Sequence, residues 1–86
     1  MPEISRFFGI VIKMFFDDHN PPHFHAEYGD SRAAIDIRTL SLIYGTLPPR
    51  ALGLVIEWAT LRRQELLDDW EKARLQQQLA KIAPLE

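Results

Sequence analysis

The chain has 86 residues, 47% of them hydrophobic and 26% charged, with a formal net charge of −2 and no cysteine. This is the composition of one folded domain with a single core rather than of a disordered chain; the lack of cysteine excludes a disulfide framework, a thiolate zinc site and a cysteine nucleophile. Four basic residues stand against six acidic ones before Pro49, and six against six from there on, which excludes a basic module that grips nucleic acid nonspecifically. Any RNA ligand therefore rests on a few local arginines or on a macromolecule that presents the RNA. No apolar run approaches the ~18 residues that span a bilayer, and the N-terminus lacks a leader pattern. A cytoplasmic protein with no membrane partner is expected.

In chain order, Ile4 to Phe16 is rich in aromatic and β-branched types and predicts one long strand. Gly9 inside it marks a bulge or bend. Asp17 to Pro22 is a loop, because Asp, Asn and two prolines remove donors and favour turns. His23 to Tyr28 alternates, with Phe24, Ala26 and Tyr28 on one face and His23, His25 and Glu27 on the other. Gly29-Asp30-Ser31 is a turn, and Arg32 to Thr39 forms a further strand that pairs back as an antiparallel hairpin. Leu40 to Tyr44 is a short fourth strand or an extension of the third.

Pro48-Pro49 opens the strongest helix signal. Arg50, Gly53, Glu57, Thr60 and Gln64 trace a polar stripe, and the largely apolar remainder predicts a mostly buried helix. The helical pattern runs to about Gln78, too long for one rod in a domain with a radius of gyration of ~12 Å. A break near Leu67-Asp68 is expected, with Asp68 and Glu71 as a capping box. That gives helices over about 49–66 and 69–79, then a tail that packs through Ile82 and Leu85. The expected fold is α+β: a small antiparallel sheet of three to four strands packed against one or two C-terminal helices. Residues 1–86 are expected to form a single domain, β-rich with the histidine loop over 1–47 and helical over 48–86. The broad apolar face of the first helix points to a homodimer or a permanent partner.

All three histidines fall within Asp17-Asp18-His19-Asn20-Pro21-Pro22-His23-Phe24-His25. Three chemistries fit that stretch. His19, His23 and His25 with Asp18 form a general acid-base set for RNA cleavage, one imidazole (pKa ~6.5) taking the 2′-hydroxyl proton and another protonating the leaving oxygen. Arg6 or Arg38 would stabilise the phosphorane, with Arg32 and Lys13 as further candidates, and Tyr28 or Tyr44 as alternative acids. Alternatively His23, His25 and Glu27, in a row on one strand face, are ligands for a divalent metal, which the acid-base chemistry does not require. In the third reading the histidines only fix a loop by bonding to backbone carbonyls, Asp18 pins His19, and the chain is a non-catalytic interaction module. Trp58 and Trp70 read as core aromatics, Arg62-Arg63 as a solvated helix end and Asp68-Asp69 as a cap.

Ile4-Ser5-Arg6-Phe7-Phe8-Gly9-Ile10, the Asp18 to His25 block, Leu47-Pro48-Pro49-Arg50 and Trp58 together resemble a widespread bacterial family of small proteins catalogued as a domain of unknown function. The resemblance runs essentially end to end, and its most specific element is the Asp18-His19-Asn20-Pro21-Pro22-His23-Phe24-His25 block, Asp-His-x-Pro-Pro-His-x-His. It implies the toxin (DhiT-type) of a type II toxin–antitoxin module, neutralised by direct binding of a cognate small antitoxin protein. It supplies no catalytic residues, and the target it leaves open is RNA or the ribosome.

Overall fold

The computed structural model describes residues 2–16 and 18–86. The aromatic run at the start is two strands, β1 (Glu3–Phe7) and β2 (Ile10–Lys13), and not the single strand expected. Phe8 and Gly9 form the turn between them with φ of 51° and 80°. Positive φ at both central residues is the type I′ geometry whose twist suits a tight hairpin. A register shift between Glu3 and Ser5 brings Ile4 and Phe7 to the core despite their unlike parity.

β3 (His23–Tyr28) and β4 (Ser31–Asp36) form the expected hairpin around Gly29 and Asp30. The fourth strand ends at Asp36 and not at Thr39, because the Asp36 carboxylate accepts the backbone N–H groups of Arg38 (2.7 Å) and Thr39 (3.0 Å) and turns the chain. β5 (Leu42–Gly45) follows as a separate strand. Gly45 holds φ of 80°, and a Cβ there would run into the Arg32 carbonyl oxygen. The sheet has five antiparallel strands in the order β1-β2-β3-β4-β5, against the three to four expected.

Two C-terminal helices follow, α1 (Pro49–Leu61) with proline in its first turn and α2 (Arg63–Arg74). The polar stripe of α1 is exposed, and Ala51, Val55, Trp58 and Ala59 are buried. Leu61, read as part of the apolar side, is exposed. The break falls at Arg62 and not at Leu67-Asp68; Asp68 and Glu71 lie inside α2 and cap nothing. The apolar face of α2 explains the shift, since Leu66, Trp70 and Ala73 face the core only if the helix starts before them.

One core joins the inner sheet face (Ile10, Ile12, Phe24, Ala26, Ile35) to both helices through Trp58, Leu66 and Trp70. Trp58 lies 5.3 Å from Phe7 and 5.8 Å from Phe24, ring to ring. The tail returns along β1, where the Ile82 N–H donates to the Ile4 carbonyl at 2.8 Å, with Ile82 buried. The Cα radius of gyration is 11.6 Å. No helix among the described residues is long and apolar enough to cross a membrane.

Candidate functional site

Strand alternation puts Phe24 and Ala26 into the core and turns His23 and His25 to the opposite face of β3. In register, His25 lies in a row with Lys13 on β2, Ala34 on β4 and Tyr44 on β5. The small Ala34 leaves room for the imidazole. Phe15 meets that ring edge-on at 4.5 Å, and Tyr44 stands at 6.2 Å. His23, at the start of the strand, is only 6% exposed and lies 5.2 Å from the Trp70 ring of α2. The two imidazoles are 5.1 Å apart.

The loop through Pro21 and Pro22 folds back so that Asp18 stands over both rings. Its Oδ2 is 2.9 Å from His23 Nε2 and 3.0 Å from His25 Nε2. Its Oδ1 accepts the His19 backbone N–H at 3.1 Å. Burial alone would raise the Asp18 carboxyl, but the His25 hydrogen bond, the nearby His23 ring and the His19 N–H outweigh it and hold the group below its ordinary value. Asp18 is therefore an anion beside two imidazoles.

His23 Nδ1 lies 2.7 Å from the Pro21 carbonyl oxygen. A carbonyl only accepts, so Nδ1 carries the proton and Nε2 is the atom turned to Asp18. Two parts of the loop-fixing reading, the His23 bond to a backbone carbonyl and the Asp18 bond to His19, are thus present in the cluster. One donor atom each from Asp18, His23 and His25 lies within 4.8 Å of the other two, so this trio could hold a metal.

Other candidate residues lie outside it. The His19 ring is exposed, and only its backbone touches Asp18. Glu27, expected as the carboxylate ligand, pairs with Lys13 at 3.1 Å. Arg6 is held by Glu3 through contacts of 2.8 and 3.1 Å. Arg38 and Arg32 are exposed, and Arg38 is fixed through its backbone to Asp36. Tyr28 is exposed at the far end of β3. Asp17 lies outside the described residues. Sequence reasoning did not find the aromatic walls Phe15 and Trp70, because they come from different elements and share no local spacing with the histidines. An apolar groove lined by Phe8, Tyr28, Pro48 and Leu54 lies elsewhere and contains none of the cluster residues.

None of the curated proteins or solved structures compared with the chain matches it. A family match, in contrast, spans residues 9–71, and so includes the whole stretch from Asp18 to His25. The chain belongs to that family, described as a domain of unknown function, DUF4160.

Proposed function

We propose that the chain is the toxin of a type II toxin–antitoxin pair, acting in the cytoplasm on RNA or translation through Asp18, His23 and His25. The observation that carries the reading is the convergence of one carboxylate and two imidazole nitrogens at 2.9 and 3.0 Å. The resemblance of the Asp-His-x-Pro-Pro-His-x-His block to DhiT-type toxins supports it, and a cognate small antitoxin is the partner that this implies. The chemistry available to such a cluster is proton transfer at the 2′-hydroxyl and at the leaving oxygen, with Asp18 orienting the imidazoles. Two of the cations that could hold the phosphate, Arg6 and Lys13, already face Glu3 and Glu27. Presentation of the RNA by the ribosome fits that pairing.

Growth of a bacterium after induction of this chain alone tests the reading. The native chain is expected to arrest growth, His25→Ala to abolish the arrest at equal soluble level, and His19→Ala to retain it. Normal growth with the native chain, or arrest undiminished in His25→Ala, overturns the reading.

A second reading, a non-catalytic interaction module, is favoured by β5, where Leu42, Ile43 and Tyr44 are all exposed on an edge strand. A neighbouring protein or a second copy of the chain would cover that edge. In this case His25→Ala changes stability and leaves partner binding intact.

A further inference from the structure

We propose that Asp18, His23 and His25 bind one zinc-class divalent cation through a carboxylate oxygen and two imidazole Nε2 atoms, leaving its remaining positions to water. The inference goes beyond the toxin reading and does not depend on it. Three observations carry it.

The first is donor geometry. Donors about 2.1 Å from a shared ion stand about 3.0 Å apart at right angles and about 3.4 Å apart at tetrahedral angles. The Asp18 oxygen is 2.9 Å from one nitrogen and 3.0 Å from the other, and all three atoms lie within 4.8 Å. Two imidazoles and a carboxylate are a donor set found in open catalytic zinc and non-haem iron sites.

The second is the outer contact. His23 Nδ1 lies 2.7 Å from the Pro21 carbonyl oxygen, which only accepts, so Nδ1 is the donor and Nε2 is the atom that faces Asp18 and His25. The same Nδ1–H bond to a backbone carbonyl is the outer contact that ligating histidines use to fix ring and tautomer.

The third is the wall. His23 packs against Trp70, and His25 against Phe15, so both rings are held before any ion arrives. The Asp18 and His25 side chains remain 23% and 15% exposed, which leaves a path for the ion and its water.

The test uses the full chain, stripped with a chelator and dialysed, then titrated with cobalt(II) by visible absorption and with zinc(II) by calorimetry. The variants are Asp18→Asn, His25→Asn and Glu27→Gln, each checked by circular dichroism; His23 is left unchanged because its burial makes its loss a folding defect. One equivalent is expected for the native chain and for Glu27→Gln. A loss of affinity of about 100-fold or more is expected for each of the other two variants. Zinc should raise the melting temperature of the native chain and leave that of His25→Asn unmoved. Absence of one-to-one binding, native affinity in Asp18→Asn or His25→Asn, or equal loss in Glu27→Gln overturns the assignment. Growth and metal readouts separate the two proposals: a chain that binds one equivalent without arresting growth sinks the toxin reading alone, and arrest without binding sinks the metal site alone.

Discussion

Asp69 is a carboxylate 1% exposed inside α2, with Oδ1 accepting the Ala80 N–H at 2.9 Å and Oδ2 without a hydrogen-bond partner among the described residues. Burial pushes its pKa up; the Ala80 N–H and Lys72 oppose that, and Asp68 and Glu65 add to it. A carboxyl whose folded value lies above its unfolded one makes the native chain bind the extra proton between the two. Stability is then lost as pH rises through that window. Asp69→Asn keeps the acceptor for Ala80 and removes the charge. The variant should be more stable by about 1 kcal/mol at neutral pH, with the advantage shrinking as the pH is lowered toward ~4. Urea unfolding at both pH values reads it, and a variant less stable at neutral pH would show that Asp69 has a charge partner. At this scale the candidate site was half legible. Alternation alone put His23 and His25 on one face, and Asp18 was named with them because it lies in the same short stretch. Choosing Asp18 over Glu27 as the carboxylate required knowing how far the loop folds back and that Lys13 claims Glu27, and neither follows from spacing.

The C-terminal tail has no regular secondary structure after Arg74, yet Ile82 is buried and hydrogen bonds to β1, α1 and α2 tie the tail down. Beside the Ala80 N–H to Asp69 bond, these include Ile82 N–H to Ile4 O, Lys81 Nζ to Glu3 O, and Trp58 Nε1–H to Ala83 O at 2.8 Å. The last runs from α1 and is carried by a side chain whose ring also fills the core. Trp58→Phe keeps most of that ring and deletes the donor, leaving the Ala83 carbonyl to water. It should cost about 1–2 kcal/mol and speed amide exchange over 80–86 more than in β3. Equal exchange in both segments would mean that the contacts of Ala80, Lys81 and Ile82 hold the tail without the Trp58 bond. At the scale of elements, the helix pair, the β3-β4 hairpin and the packing of Ile82 were legible from periodicity and turn residues. The first hairpin was not: its turn is Phe8-Gly9, with no Asn-Gly or Asp-Gly signal, inside an unbroken run of strand formers. The helix break was misplaced because Asp68 imitates a cap. The real break at Arg62 carries no capping side chain, and tertiary burial of Leu66 and Trp70 decides it.

The whole molecule carries little charge to offer an RNA backbone. Of its 10 basic side chains, Arg6, Lys13, Arg62 and Arg74 are each matched to a carboxylate at 3.3 Å or less. Exposed pairs of this kind contribute little stability, but each cancels the field a phosphate would feel. The remaining cations are not gathered on β3, where the Asp18, His23 and His25 cluster brings its own negative charge. Free single-stranded RNA should therefore bind weakly, with log K falling against log salt on a slope shallower than about −2. A protein contacting 6–10 phosphates would instead lose about 10³–10⁵ in affinity between 50 and 200 mM salt. Anisotropy of a labelled RNA across that range measures the slope, and co-sedimentation with ribosomes at the higher salt tests the presented form. Weak free binding with retained co-sedimentation is the outcome that ribosome-dependent action requires. A steep slope on free RNA would mean that basic surfaces are assembled between copies of the chain, and the exposed β5 edge would then be the first place to look for that contact.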